Sequence, residues 1–402
     1  MKITVIETIR IDARPNLLLA QIHTDQGLIG LGETSRGAAA VEAQIHELVA
    51  PLLLNQDARD IALHSKKLMD SYLGFSSSSA EVRAASVIDI ALWDIAGQAA
   101  GQPIYQILGG KCRDRIRAYN TCAGYHYNTR SVARRSVTAD SAPPKSEGPY
   151  DDQIAFVHRA DELAQSLLDE GYTAMKIWPF DPLAQRNDGS FLSTEDLKMG
   201  LAPFEKIRKS VGDRIEIMAE FHSLWNLDQA KRIARALEPL RPFWAEDPIK
   251  MCDVATLKKY ASTTSIPVCG SETLGGIAPF RDMLAAQAVD VVMLDLGWCG
   301  GFTESRKIAA LAEAYQRPVA PHDCNGPVVW VASIHFMMHI PNALIIETVR
   351  AYTSTWYRDL LTDLPLVKNG YIHPLTGPGL GTRLLPGLTQ RDGVRVRRSG
   401  AQ

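Results

Sequence analysis

Short apolar runs alternate with helical patterns through the middle of the chain, from about residue 115 to residue 348. Strands that alternate with helices indicate βα units and a parallel sheet. Eight units in this length predict an α/β fold, a (β/α)8 TIM barrel with a modified end. A doubly wound open sheet is the alternative, but no G-x-G-x-x-G sequence follows a predicted strand. The eight runs are Arg115–Tyr119, Ala174–Trp178, Ile215–Glu220, Phe243–Glu246, Ile266–Glu272, Val289–Asp295, Pro318–His322 and Ala343–Thr348.

The segments on either side of this repeat have other patterns. Residues 1–114 contain an extended segment, two runs around a turn at Thr24–Gly27, and helical patterns at about 38–50, 57–71 and 80–99. This order predicts an N-terminal α+β domain. We assign the barrel to residues 115–365. The Gly- and Pro-rich segment 366–402 is expected to pack back on the N-terminal domain.

Two polar stretches interrupt the barrel pattern. Tyr125–Tyr150 follows the first predicted strand and Pro179–Thr194 follows the second. Both leave the C-terminal ends of strands, where barrels build their active sites. Loops of this length are often functional lids, although plain surface insertions are the alternative.

The composition is that of an ordinary folded protein. Of 402 residues, 46% are hydrophobic, and 43 Lys and Arg balance 45 Asp and Glu. We therefore expect no nucleic-acid partner, and no apolar run is long enough for a membrane helix. Glu7 and Arg10 interrupt the start of the chain, so it does not resemble a secretory signal and a cytoplasmic location is expected. The six cysteines form no C-x-x-C pair, which favours free thiols.

Several apolar runs end in an ionisable residue. The successive intervals are 26, 26, 23, 27 and 25 residues, which is about one βα unit each. These side chains should therefore lie at one height around the barrel mouth and point toward its centre. The residues are Glu220, Glu246, Glu272, Asp295, His322 and Glu347.

Three of these residues, Glu220, Glu246 and Glu272, are glutamates in consecutive units. A single glutamate at a strand end is usually solvated, but three neighbouring buried carboxylates repel one another unless a cation compensates them. Carboxylate oxygens suit Mg²⁺ and leave coordination positions for substrate oxygens. The spacing therefore predicts a magnesium site.

Lys176 and two histidines are the other chemical candidates. Strand alternation places Lys176 and Trp178 on one side, so Lys176 would add a positive charge beside the carboxylates. His322 follows Asp295 by one unit, and a carboxylate that fixes an imidazole makes a general base. His222 faces the same way as Glu220 if the strand continues past that residue.

Three other sequence features give little indication of a metal or catalytic site. His335 and His339 lack the glutamate of H-E-x-x-H, so one helix face is the better interpretation. The adjacent residues of His322–Cys324 cannot readily share a tetrahedral ion. No G-x-S-x-G sequence is present.

The chain resembles the enolase superfamily, in its mandelate racemase and acid-sugar dehydratase branch. The resemblance implies an N-terminal α+β capping domain on a modified barrel, with Mg²⁺ on Glu220, Glu246 and Glu272. Position 220 is usually Asp in the family. It also implies a His322–Asp295 base, Lys176 as electrostatic partner, and a homo-oligomer. The matching residues are Gly30–Glu33, Asp89–Gly97, Gly101–Tyr105, Leu108–Gly110, Lys176, Glu246–Pro248, Gly270–Glu272, Asp295, Gly300–Gly301 and His322.

Departures from the family pattern favour one reaction. Racemases of this branch carry a second lysine where this chain has Trp178, so only the His322 face has an evident base. The spacing of Glu220 and His222 is similar to that of sugar-acid dehydratases, in which the histidine protonates the departing hydroxyl. A racemase, epimerase or cycloisomerase is the alternative, and a third possibility is a binding relative without turnover.

We therefore expect Mg²⁺-dependent dehydration of a sugar acid to a 2-keto-3-deoxy acid through an enediolate. Glu347 would hydrogen-bond the substrate carboxylate or enediolate. Substrate contacts are expected from Arg14, Trp178 and Trp298, and specificity also from the segment Tyr72–Ser79. No arginine for a second carboxylate can be placed from the sequence, so a monocarboxylic aldonate is preferred to a diacid.

Overall fold

Two β-sheets organise the chain in a computed structural model that describes residues 1–70, 78–127 and 148–400. One is a four-stranded antiparallel sheet in the N-terminal domain, and the other is a nine-stranded sheet whose parallel strands form a barrel. The predicted α+β domain and (β/α)8 barrel are therefore both present. Residues 72–77 of the predicted specificity segment and residues 128–147 of the first insertion lie outside the described residues.

The N-terminal domain begins with three antiparallel strands. They are β1 (Ile3–Ile11), β2 (Arg14–Thr24) and β3 (Ile29–Ser35). A tight turn closed by a hydrogen bond from the Thr24 amide to the Leu28 carbonyl (3.0 Å) joins β2 to β3, as predicted. The helices that follow are α1 (Ala38–Gln44), a π-helical turn (Ile45–Val49), α2 (Ala50–Leu53), α3 (Ile61–Met69), α4 (Ala80–Ala100) and α5 (Ile104–Ile107).

Helix α4 packs directly on β3 because two glycines leave room for it. A Cβ atom on Gly30 would lie 2.1 Å from the Ala91 carbonyl oxygen, and one on Gly32 would lie 2.0 Å from that of Val87. Such approaches exclude any side chain at the two glycines. The Gly30–Glu33 segment therefore fixes the central helix of this domain against its sheet.

The barrel follows the predicted order of runs. Seven runs form strands: β4 (Ile116–Thr121), β5 (Ala174–Ile177), β6 (Glu216–Glu220), β7 (Trp244–Glu246), β8 (Val268–Gly270), β9 (Val291–Val292) and β10 (Ile346–Thr348). The run Pro318–His322 is reduced to bridges from Val319 to Val292 and Ala343. Strand β10 pairs in parallel with β4, which closes the barrel.

Helices lie between the strands and cover the outside of the barrel. They are α6 (Asp152–His158), α7 (Ala160–Asp169), α8 (Asp181–Gln185), α9 (Thr194–Val211), α10 (Leu227–Leu237), α11 (Val254–Ala261), α12 (Ile277–Ala285), α13 (Leu296–Cys299), α14 (Gly301–Ala314), α15 (Pro327–His339) and α16 (Arg350–Thr353). Short 3-10 turns occupy Gly212–Arg214, Glu238–Leu240, Trp356–Asp359 and Leu388–Gln390. No helix in the described part of the chain is long and apolar enough to cross a bilayer.

The C-terminal segment divides between the two sheets. Strands β11 (Val367–Lys368) and β12 (Tyr371–Ile372) form a hairpin that pairs with β4 of the barrel. Its turn is Asn369-Gly370, where both residues have positive φ, as a two-residue hairpin turn requires. Only β13 (Val394–Gly400) reaches the N-terminal sheet, where it pairs with β1.

Candidate active site

An apolar plug fills the barrel interior beneath a layer of charged side chains. The plug contains Tyr119, Ala174, Met218, Trp244, Cys269, Val291, Met293, Ala320 and Ile345. Two positions later along most of these strands, on the same face, the residue is polar or charged. The second layer contains Thr121, Lys176, Glu220, Glu246, Ser271, Asp295, His322 and Glu347. Strand alternation thus places the ionisable residues together at the C-terminal mouth.

The structure brings Glu220, Glu246 and Glu272 together. One carboxylate oxygen of each lies within 4.8 Å of the others. Glu220 and Glu246 end β6 and β7 and are buried, whereas Glu272 lies two residues beyond β8 and is partly exposed. The set therefore opens toward the mouth on the Glu272 side.

Lys176 of β5 lies beside two of these glutamates. Its Nζ is 2.6 Å from Glu246 Oε1, 3.4 Å from Glu220 Oε2 and 3.0 Å from Glu347 Oε1. The side chain is almost completely buried. Trp178, on the same face of the strand, lies further up against His222. Lys176 therefore brings one positive charge to several buried carboxylates.

The chemistry of the three glutamates fits a hard divalent cation. Burial and the neighbouring Glu220 charge raise the pKa of Glu246 well above its ordinary value, so the cluster lacks positive charge even with Lys176 present. Glu220 Oε1 accepts hydrogen bonds from the amides of Phe221 (2.9 Å) and His222 (2.6 Å). Its buried Oε2 accepts no hydrogen bond. Glu220 therefore presents to the cluster one oxygen that has no hydrogen bond and lies 3.4 Å from Lys176 Nζ.

His322 and Asp295 form the predicted dyad. The Nδ1 of His322 lies 2.6 Å from Asp295 Oδ2, and its Nε2 lies 3.2 Å from Glu272 Oε2. Asn325 Nδ2 also donates to Asp295 Oδ2, and the Gly297 amide donates to its Oδ1 (2.7 Å). The Trp298 ring packs on the imidazole at 5.0 Å between centroids. The imidazole is thus held with Nε2 directed at the glutamate cluster.

Carboxylates surround His322 and control its charge. Burial alone would lower its pKa, but Glu272, Glu347 and Asp295 raise the pKa to about 10. The largest of these carboxylate contributions comes from Glu272, a member of the glutamate cluster. A cation on that cluster would therefore offset much of the charge that holds the proton on His322.

His222 lies in the site, but it does not lie on a continuation of β6 as the sequence suggested. Strand β6 stops at Glu220, and His222 has a left-handed backbone with φ of 46°. Its Nδ1 lies 2.7 Å from Asp181 Oδ2, and its Nε2 lies 3.2 Å from the Tyr127 hydroxyl. Trp178 packs edge-on against the ring at 5.8 Å. A tight turn, not strand alternation, therefore orients this histidine.

Both carboxylate oxygens of Glu347 accept hydrogen bonds from other groups of the protein. The Thr121 hydroxyl donates to its Oε1, and the Asp323 amide donates to its Oε2 (2.5 Å). Burial would raise the pKa of Glu347, but the charges of Lys176 and His322 lower it to about 2. In this structure Glu347 therefore accepts hydrogen bonds and pairs with Lys176. Its contact with the substrate stays a prediction.

Arg14 and Trp298 lie where the N-terminal domain meets the barrel. The Arg14 guanidinium carbon is 4.6 Å from the Trp356 ring centroid, and Trp298 donates from Nε1 to the Ser35 carbonyl (3.0 Å). His335 and His339 lie elsewhere: each contacts a backbone carbonyl, of Leu380 and Gly110 respectively. The two histidines therefore have structural contacts, as the spacing indicated.

Sequence reasoning missed the residues that orient the two histidines. Asp181 and Tyr127 contact His222, and Asn325 contacts Asp295. Two further arginines of the N-terminal domain, Arg36 and Arg83, also lie at this boundary. None of the five follows the strand-end spacing. Asp181 and Tyr127 lie in or beside the polar insertions, and that was the only signal that pointed to them.

The barrel carries three glutamates, a lysine and a histidine–aspartate pair at its mouth, and an α+β domain covers it. This arrangement is typical of the enolase class of fold. Residues 8–109 match the mandelate racemase / muconate lactonizing enzyme N-terminal domain, and residues 159–387 match the enolase C-terminal domain-like family. The chain belongs to the mandelate racemase / muconate lactonizing enzyme family of the enolase superfamily.

Similar proteins include named dehydratases. The D-xylonate dehydratase of Haloferax volcanii is 31% identical over 95% of this chain and 87% of its own length. The D-galactonate dehydratase of Verminephrobacter eiseniae is 31% identical over 96% of this chain and 92% of its own length. A solved enolase of the mandelate racemase subgroup from Agrobacterium tumefaciens superposes with a TM-score of 0.88 at 50% identity, over 100% of this chain and 99% of its own.

Proposed function

We propose that this protein dehydrates a sugar acid to a 2-keto-3-deoxy acid in a Mg²⁺-dependent reaction that passes through an enediolate. The observation that carries the proposal is the pairing of two imidazoles, each oriented by its own aspartate, around the glutamate cluster. Dehydration needs one group to remove the proton beside the carboxylate and another to protonate the leaving hydroxyl. The names of the similar dehydratases support the same reaction.

Glu220, Glu246 and Glu272 would hold the metal ion. When bound, Mg²⁺ supplies positive charge that lowers the energy of the negative charge developing on the substrate carboxylate. The protein contributes three close carboxylates, a Glu220 oxygen that has no hydrogen bond, and an open side at Glu272.

His322 is the group that removes the proton on C2 of the substrate. Asp295 and the packed Trp298 ring fix the imidazole, so Nε2 faces the glutamate cluster, where the substrate would bind. Asp295 also stabilises the imidazolium that forms. As the electron pair moves into the carboxylate, Lys176 stabilises the charge of the enediolate in a nearly dry site.

His222 protonates the hydroxyl on C3 as its bond to carbon breaks. Asp181 holds the opposite ring nitrogen, and Tyr127 lies at Nε2 where the proton must pass. Water leaves, the electron pair of the enediolate forms the C2–C3 double bond, and the enol product tautomerises to the 2-keto-3-deoxy acid. Trp178 occupies the position beside His222, so the side opposite His322 carries an acid and an aromatic ring.

A panel of sugar acids incubated with the purified protein and Mg²⁺ tests this function. Dehydration releases an α-keto acid, which semicarbazide traps as a chromophore. We expect at least one sugar acid to give such a product, and none to do so after EDTA treatment. Stereoisomers without keto acid would instead support a racemase or epimerase, and no turnover of any acid would support a binding protein.

A further inference from the structure

Three arginines of the N-terminal domain lie together at the edge that covers the barrel mouth. Arg14 begins β2, Arg36 follows β3, and Arg83 lies in the first turn of α4. The Arg36 amide donates to the Asn16 carbonyl (2.8 Å), and Arg83 Nη1 donates to the Arg36 carbonyl (3.3 Å). We call these three residues the arginine edge.

The arginine edge forms no close ion pair with a described carboxylate. Among the described residues, none of its guanidinium groups has a carboxylate oxygen within 4.0 Å. The Nε of Arg83 is buried and has no hydrogen-bond partner. Elsewhere the fold pairs such groups: the buried guanidinium of Arg350 contacts Asp152 and Glu170 at 2.8 and 2.7 Å. The three arginines are partly exposed, so their guanidinium groups remain accessible to an anion.

The arginine edge faces the site. The Arg83 guanidinium carbon lies 5.2 Å from the Trp298 ring centroid, and that ring packs on His322. Ser35, the neighbour of Arg36, donates from its hydroxyl to Asn325 Oδ1 (2.5 Å), and Asn325 contacts Asp295, which places Arg36 near the mouth. Arg14 stacks on Trp356, which begins the 3-10 turn after α16.

The reacting carboxylate of the substrate does not account for these charges. A metal ion held by the glutamate cluster, together with Lys176, would balance the charge of that carboxylate. Asp295 attracts Arg83, but its oxygens already accept from Asn325 and Gly297 and contact His322. The arginine edge is therefore available for a second negative group on the same substrate.

We propose that the arginine edge binds the second carboxylate of a dicarboxylic sugar acid, an aldarate. This inference rests on the proposed dehydration and narrows its substrate class. A guanidinium presents paired donors that match the two oxygens of a carboxylate, whereas a terminal hydroxyl leaves most of them unused. The earlier preference for an aldonate depended on having no arginine to assign, and the structure supplies Arg36 and Arg83.

Matched substrate pairs test the proposal. Each pair has one stereochemistry and differs only at its far end, such as galactarate with galactonate, or xylarate with xylonate. We expect kcat/KM of the preferred aldarate to exceed that of its aldonate by at least tenfold. In Arg36→Gln and Arg83→Gln this ratio should fall about ten- to a hundredfold, the range expected for one lost charged hydrogen bond. Arg83→Lys should retain more of the ratio than Arg83→Gln.

Arg306→Gln is the matched control. Arg306 also stacks on a tryptophan of α4, with its guanidinium carbon 5.8 Å from the Trp93 ring centroid. Trp93 lies about 15 Å along the helix from Arg83, at 1.5 Å per residue. This variant should leave the substrate ratio unchanged.

Two outcomes overturn the inference and leave dehydration intact. One is wild-type turnover of aldonates at least as fast as that of their aldarates. The other is an equal loss on both members of a pair in Arg36→Gln and Arg83→Gln. If no sugar acid of either kind releases keto acid, the proposed dehydration fails, and this inference fails with it.

Discussion

Two buried glutamates, Glu33 and Glu347, show how far the surroundings decide the charge of a side chain. Burial raises the pKa of Glu33 to about 8, although hydrogen bonds from backbone amides oppose this rise. Burial would act in the same direction on Glu347, but Lys176 and His322 lower its pKa to about 2. One carboxyl group is therefore neutral at pH 7 and the other is charged. At the scale of single residues, the neighbouring groups determine whether a buried glutamate is charged.

Replacing the base should stop the first chemical step. We expect His322→Asn to abolish exchange of the C2 proton of the substrate with solvent deuterium, because no other imidazole in the described site faces the glutamate cluster from that side. Proton NMR of substrate in D₂O measures the exchange. Persistent exchange in this variant would assign the base elsewhere.

Replacing the aspartate behind His222 should separate the two proton transfers. In Asp181→Asn the Nδ1 partner loses its charge, so dehydration should slow about a hundred- to ten-thousandfold, the usual contribution of a general acid. Exchange of the C2 proton should continue, because the His322–Asp295 pair is untouched. Asp188→Asn, an exposed residue in the same insertion, is the control. Equal loss of exchange and dehydration in Asp181→Asn would indicate a purely structural role.

The sequence predicted those site residues that follow the strand period. Glu220, Glu246 and Lys176 occupy inward positions of their strands, so spacing alone could locate them. Asp181, Asn325 and Arg36 lie on turns or short helices, where no period fixes direction. Their contacts depend on the packing of distant segments, which a single sequence does not reveal. The role expected for Glu347 stays a prediction, because its ionisation depends on Lys176, His322 and the Asp323 amide, which the strand period does not reveal.

A buried contact between two elements, β3 and α15, joins the N-terminal domain to the barrel. Glu33 of β3 accepts hydrogen bonds from the Val328 (3.0 Å) and Val329 (3.3 Å) amides in the first turn of α15. Gly326 makes the approach possible, because a Cβ there would lie 2.4 Å from Glu33 Oε2. A helix N-terminus has unsatisfied amides and favours such an acceptor. This contact holds the arginine edge over the barrel.

Glu33 should make stability depend on pH. Its pKa rises from 4.5 to about 8 on folding, so the folded state keeps a proton that the unfolded state loses between these values. Raising the pH through this window therefore favours unfolding. We expect the melting temperature of wild type to fall from pH 5 to pH 8, and to fall less in Glu33→Gln.

Other buried acids also contribute to the fall of the melting temperature with rising pH. Burial raises the pKa of Asp89 to about 7 and that of Asp94 to about 6, so part of the slope should remain in Glu33→Gln. Glu162→Gln, which changes an exposed carboxylate, should show the wild-type slope. Parallel melting curves for wild type and Glu33→Gln would refute the assignment of this pH dependence to Glu33.

The order of the secondary-structure elements was easier to predict than the pairing of individual strands. All eight apolar runs lie in the barrel, because βα alternation is a local pattern. The seventh forms only a single-residue bridge at Val319, and the Asn369-Gly370 hairpin joins the barrel instead of the N-terminal sheet. Both outcomes depend on which neighbouring strand offers free backbone groups, and no local pattern contains that information.

At the scale of the whole molecule, the barrel carries the proposed catalytic groups and the N-terminal domain carries the arginine edge. The formal net charge of −2 conceals this arrangement. Carboxylates concentrate at one end of the barrel, and the arginine edge lies across them. The mouth is thus acidic where the glutamates lie and basic at the arginine edge. This arrangement suits a cation at the glutamates and an anionic substrate between the cation and the arginines.

Binding of the metal should stabilise the whole fold. A ligand that binds only the folded state raises the free energy of unfolding by an amount that grows with its concentration over Kd. We expect Mg²⁺ to raise the melting temperature of EDTA-treated wild type, with a much smaller rise in Glu272→Gln. Glu162→Gln should respond as wild type does. An equal shift in Glu272→Gln would exclude Glu272 as a ligand.

The most direct measurement follows a sugar acid and its product by NMR in D₂O with the Mg²⁺-loaded protein. We predict a 2-keto-3-deoxy acid with one deuterium at C3, formed by wild type and not by His322→Asn. Deuterium enters at C3 because the enol product is protonated there by solvent. Accumulation of the C2 epimer carrying deuterium at C2, without keto acid, would contradict dehydration and establish an epimerase.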